Sequence, residues 1–186
     1  MNLHRQKHVL VLNVYTFKMT TQRTISDIRT ATPNSVGDGF IGLNAFHPQG
    51  SRPFSPFLLL DHHGPMKVKP SEYPKGVDQH PHRGFETVTI VYEGALEHRD
   101  SAGNHGKLFA GDVQWMTAAA GIIHEEKHER AFSRQGGQLD FVQLWVNLPA
   151  RYKMNPPRYQ DIAASTITTA TLPGGGQLRV IAGELA

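Results

Sequence analysis

Hydrophobic and polar positions alternate in short runs along most of the chain, the two-residue period with which a strand turns successive side chains to opposite faces. The runs are RTISDIR at 23–29, GFIGLNAF at 39–46, SPFLLLDHH at 55–63, ETVTIVYEG at 86–94, ALEHRDSAG at 95–103, KLFAGDVQWMTA at 107–118, GIIHEEKH at 121–128, LDFVQLWVNLP at 139–149 and QLRVIAG at 177–183. Within the fourth run, Thr87, Thr89 and Val91 should line one face and Val88, Ile90 and Tyr92 the other. Turn-forming residues at Glu93-Gly94, at 101–105 (SAGNH) and at Ala110-Gly111-Asp112 predict a meander of hairpins. Helical periodicity is confined to 158–164 and part of 118–131. Short strands at this spacing specify an all-β domain, a sandwich or barrel, with few short helices.

Composition narrows the chemistry. The 186 residues suffice for one well-filled core, and 18 glycines with 12 prolines suit a turn-rich domain. Cysteine is absent, which excludes disulfides, thiolate metal sites, iron–sulfur clusters and cysteine nucleophiles. Any metal must be held by His, Asp or Glu. The basic character comes from one end: residues 1–30 carry five basic side chains against Asp27, while the remainder carries 14 basic and 15 acidic ones. A nearly neutral body argues against direct nucleic-acid binding. The apolar run at 9–15 (VLVLNVY) is broken by Asn13 and followed by no small-x-small cleavage site. Nothing approaches the roughly 18 apolar residues of a membrane span, so a cytoplasmic protein is expected. Met19 reads as an alternative start, which makes residues 1–18 an extension outside the fold.

Eight of the 11 histidines fall between positions 62 and 128. In HPHRGFETVTIVYEG at 80–94, His80 and His82 stand two apart, so an extended chain projects both to one side. Pro81 between them has a fixed φ and no N–H, which suits a strand entrance or an edge. His124 and Glu126 repeat the i, i+2 relation about 40 residues on. Three imidazoles and a carboxylate form a ligand set suited to iron, manganese, nickel, copper, cobalt or zinc, with positions left for a small ligand. His124-Glu125-Glu126-Lys127-His128 also fits H-E-x-x-H, the zinc-protease helix. That reading needs a helix over 124–128 and a third ligand downstream, and it leaves His80 and His82 unexplained; with it set aside, His128 is expected to be a solvated side chain. His62, His63, His98 and His105 lie in polar, turn-rich contexts, and Trp115 and Trp145 read as core aromatics, either of which could border a pocket.

Taken together, HPHRGFETVTIVYEGALEHRDSAGNHG, GDVQWMTA, GIIHEE, QLWVNLP, KMNPPRYQDI and LRVIAG resemble the pirin family of the cupin superfamily. The resemblance implies a cupin-type β-barrel, a jelly-roll-like double-stranded β-helix. It also implies one mononuclear divalent metal, commonly iron, on His80, His82, His124 and Glu126. The general cupin pattern would place the carboxylate at Glu86, whereas the pirin pattern places it at Glu126. Two departures stand out. Ala119-Ala120 replaces the usual Gly-Arg, and full-length members carry a second cupin-like domain after the stretch similar to LRVIAG. Residues 19–186 are therefore expected to be the N-terminal cupin domain alone, with exposed apolar surface and sheet edges favouring self-association.

Two functions follow from the resemblance. One is a quercetin 2,3-dioxygenase-type activity, in which a flavonol binds the metal, Glu126 takes its hydroxyl proton as catalytic base, and dioxygen opens the central ring. The other is a non-enzymatic regulator whose metal's redox state alters binding to a transcription factor or metabolic enzyme.

Overall fold

The structure, a computed structural model, describes residues 24–25, 27–50 and 54–184. In chain order the strands are β1 (Thr32–Val36), β2 (Phe40–Phe46), β3 (Phe57–Val68), β4 (Gly76–His82), β5 (Phe85–Glu93), β6 (Ala95–Asp100), β7 (His105–Phe109), β8 (Val113–Thr117) and β9 (Ile122–His128). A helix of six residues, α1 (Arg130–Gln135), precedes β10 (Gly137–Asn147), β11 (Arg158–Ile162), β12 (Thr168–Thr171) and β13 (Gln177–Val180). No helix among the described residues is long and apolar enough to cross a membrane.

Residues 29–167 form one compact unit. Its strands make a seven-stranded sheet in the order β1-β2-β3-β10-β5-β8-β11 and a four-stranded sheet in the order β4-β9-β6-β7, all pairs antiparallel. The inner faces meet in a cluster of Phe40, Val91, Leu139 and Phe141 from the larger sheet with Leu96 and Leu108 from the smaller. Phe40 packs edge-on against Phe141, ring centroids 5.0 Å apart. Burying such side chains contributes about 1.5–3 kcal/mol each, and this holds the two sheets together as a cupin-type barrel. The described residues from 168 onward belong to a second unit, in which β12 and β13 form a hairpin.

On β5, Thr87, Thr89 and Val91 share one face as expected, and Val91 joins the core cluster. Other expectations need correction. RTISDIR forms no strand among its described residues; the first strand is TPNSV. It is an edge strand, where Pro33 is tolerated because no ladder bond is demanded on its open side. Residues 158–162 are strand β11, paired residue for residue with β8 from Arg158↔Thr117 to Ile162↔Val113, so tertiary pairing overrides a modest helical pattern. The helical signal in 118–131 resolves into strand β9 followed by α1, whose first turn is capped by the Glu129 carboxylate. The meander is also wrong at two of its three turns. Only 101–104 closes a hairpin, β6 with β7, whereas Glu93-Gly94 and Ala110-Gly111-Asp112 carry the chain from one sheet to the other. Gly94 makes this crossing at φ 85° with Gln138 O only 2.8 Å from where a Cβ would stand, a geometry open to glycine alone. Residues 1–18 and Met19 lie outside the described residues.

Candidate metal centre

Strands β4 and β9 bring the two histidine motifs together. Their antiparallel register sets His80 directly opposite His124 and His82 opposite Ile122. Pro81, pointing to the other face, falls between the two imidazoles of β4. The ring centroids of His80, His82 and His124 form a triangle with sides of 4.7, 4.4 and 4.7 Å. One potential ligand atom from each lies within 4.8 Å of the others. His80 Nε2 and His82 Nε2 are 3.1 Å apart, a distance at which two lone pairs share a proton or a cation.

The donor set suits a cation. His80 Nδ1 donates to the Asp78 carbonyl at 2.8 Å, leaving Nε2 as the free lone pair. His124 Nδ1 lies 3.2 Å from His98 Nδ1, and His124 Nε2 is buried with no hydrogen-bond partner. An orphaned imidazole nitrogen beside two others is what a metal would satisfy. Burial, reinforced by the neighbouring imidazoles, pushes His82 and His124 down to about 3, so both are neutral ligands at physiological pH.

Glu126 follows His124 on the same strand face and is buried, but its carboxylate is already engaged. Gln143 Nε2 donates to its two oxygens at 3.0 and 2.9 Å, and Thr89 Oγ1 donates at 3.3 Å. The Gln143 amide is oriented in turn by Trp145, whose Nε1 donates to Gln143 Oε1 at 3.0 Å. Trp145 stacks on Phe85 at 4.6 Å, and both rings sit edge-on to His82 at 5.1 and 5.0 Å. Trp145 thus borders the imidazoles rather than filling the core. The grouped ligand atoms are those of the three histidines, and neither Glu126 nor Glu86 is among them; Glu86 accepts from Thr117 Oγ1 at 2.6 Å across β5 and β8.

His98 was unrecognised as a site residue in the sequence, where its run reads as polar and turn-rich. It is 1% exposed on β6, between the His124 ring and the Tyr159 ring, which stacks on it at 4.9 Å. The available signal was the alternation Leu96, His98, Asp100, which puts the imidazole on the same face as a core leucine. His128 is not solvated: it is 1% exposed and packs against Phe40 and Phe132. Being in a strand, residues 124–128 cannot form the zinc-protease helix, and Glu125 points away from His124. His63 is buried and stacked on Phe141. Burial pushes His63 and His128 down to about 4. His62 and His105 are the surface residues expected, paired with Asp140 at 2.7 Å and Glu97 at 2.8 Å.

Residues 42–146 match the pirin family model. A Pseudomonas aeruginosa protein named "Putative quercetin 2,3-dioxygenase" is 56% identical over 80% of this chain and 53% of its own length. The crystal structure of a quercetin 2,3-dioxygenase from Acinetobacter baumannii superposes with a TM-score of 0.79 at 49% identity, over 85% of this chain and 56% of that one. The bacterial pirin YhhW from Escherichia coli, crystallised in complex with nickel(II), gives a TM-score of 0.53 at 25% identity, over 72% of this chain and 53% of that one. The chain spans about half the length of the curated relatives it matches.

Proposed function

The chain belongs to the pirin family of the cupin superfamily, and from that premise we propose that it holds one divalent transition-metal ion on His80, His82, His124 and Glu126 and supports dioxygen-dependent opening of the central ring of a flavonol such as quercetin. The observation that carries the reading is the unpartnered, buried Nε2 of His124 beside two further imidazoles. The names of the relatives support the substrate class.

A bound divalent ion would polarise the flavonol hydroxyl and bring the substrate and dioxygen to one centre. The chain's own residues supply the rest. His80, His82 and His124 would hold the cation as neutral ligands, and Glu126 would share its carboxylate between the ion and the substrate, accepting the hydroxyl proton as general base. Gln143 and Thr89 keep the Glu126 carboxylate aimed while it does so, and Trp145 fixes which end of the Gln143 amide faces it. The paired Phe85 and Trp145 rings offer a flat apolar wall beside His82 on which an aromatic substrate can stack and from which water is excluded.

The test couples elemental analysis of the purified chain to oxygen uptake with quercetin. A near-stoichiometric metal, uptake that stops on chelation and restarts on reloading, and loss of both metal and uptake in His80→Ala are the expected results. Uptake that survives complete removal of metal overturns the mechanism; a fully loaded protein that consumes no oxygen overturns the substrate assignment.

A further inference from the structure

The geometry around His98 points to a role that the metal ligands do not perform for themselves. We propose that Asp100 and His98 form a hydrogen-bond relay that fixes His124 in the tautomer protonated at Nδ1, so that Nε2 always presents its lone pair to the cation.

The proton assignment follows from the partners. The Asp100 carboxylate is fully buried and already accepts from Ala102 N at 2.9 Å, Asn104 N at 3.0 Å and Asn104 Nδ2 at 2.8 Å. Facing His98 Nε2 at 3.4 Å, it can only accept, so His98 carries its proton on Nε2. In a neutral His98 ring Nδ1 is then a lone pair, and the nitrogen 3.2 Å from it, His124 Nδ1, is the donor. One proton remains for the neutral His124 ring and it is spent on Nδ1, which leaves Nε2 bare. A carboxylate that orients a ligand histidine usually touches it directly; here a second imidazole is interposed.

The fold builds a slot for that imidazole. Across β6 and β7 the residue opposite His98 is Gly106. A Cβ on Gly106 would stand 1.8 Å from the Tyr159 hydroxyl oxygen, so the absence of a side chain there admits the tyrosine ring that stacks on His98. The Tyr159 hydroxyl donates to Asp161 Oδ1 at 2.5 Å and accepts from Gln114 Nε2 at 3.1 Å, and this locks the ring. His98 is therefore clamped by Tyr159 on one face, Asp100 at one nitrogen and His124 at the other. It is a positioning residue, and its consequence for metal affinity rests on the metal reading above.

Nitrogen-15 NMR of histidine-labelled, metal-free protein separates protonated from bare imidazole nitrogens and reads the relay without any variant. His124 protonated at Nδ1 and His98 protonated at Nε2 are expected. In His98→Phe, which keeps a ring under Tyr159 but removes the acceptor, His124 should lose its single tautomer, and nickel(II) affinity measured by chelator competition should fall by about 10–100-fold. Asp100→Asn presents amide hydrogens to His98 in place of an accepting oxygen, so the relay should run backwards and leave His124 protonated at Nε2. Finding His124 protonated at Nε2 in the unsubstituted protein overturns the proposal, as does an unchanged tautomer in both variants. Unsubstituted protein that binds no nickel but shows the expected tautomers upholds the relay and refutes the metal reading instead.

Discussion

Four imidazoles inside one small barrel make its stability depend on pH in a defined direction. His63, His82, His124 and His128 are 1–7% exposed, and burial holds His63 and His128 at about 4 and His82 and His124 at about 3. Their unfolded-state values are near 6.5. Because each folded value is depressed, the unfolded chain takes up protons first as the pH drops. Stability is complete above about pH 6.5 and is lost as the pH falls towards the folded values. At pH 5.5 each neutral imidazole costs about 1.4 kcal/mol relative to pH 7.5, or about 5.5 kcal/mol for the four, a large part of a typical domain's stability. For a chain of this size that lowers Tm by on the order of 10–20 °C. The assay is thermal unfolding followed by circular dichroism in chelator-treated protein, in half-unit steps from pH 7.5 to 5.5. His128→Leu, which removes one titrating ring that is not itself a proposed ligand, should flatten the slope by about a quarter. A melting temperature that does not move over this interval, or a His128→Leu variant with the full slope, would refute the reasoning.

Further outcomes follow from single residues. Glu129 caps α1 by accepting from Ala131 N at 2.6 Å and Phe132 N at 3.0 Å, so Glu129→Ala should lower stability by about 1 kcal/mol in chemical denaturation, with the midpoint as readout. Ala119 is held at φ 42° in the link between β8 and β9, a left-handed conformation that glycine adopts without strain; Ala119→Gly should raise stability by up to about 1 kcal/mol in the same measurement. Gly106→Ala drives a methyl group into the Tyr159 hydroxyl. It should destabilise by about 1–3 kcal/mol and release the stacked His98 ring, seen as a shifted imidazole resonance. Gln143→Leu strips the Glu126 carboxylate of its principal donor and should reduce quercetin-dependent oxygen uptake at least tenfold while the histidine triad still binds nickel.

Much of this protein can be read from local pattern. Alternation along each run set the all-β class, and the i, i+2 spacing of His80 with His82 committed both imidazoles to one strand face, because a pleated backbone leaves no other option. The absence of cysteine left only nitrogen and oxygen donors for a metal. What alternation cannot say is which strand lies beside which. The chain crosses between sheets at Gly94 and Gly111 rather than folding back on itself, and only that crossing puts β4 beside β9 and His80 opposite His124. His98 and His128 show the same limit, since a histidine in a polar run is exposed or buried according to the sheet that covers it. Strand faces are properties of a few bonds, and the sequence alone determined them; neighbours across a barrel are set by packing between distant segments, and only the tertiary structure decided those.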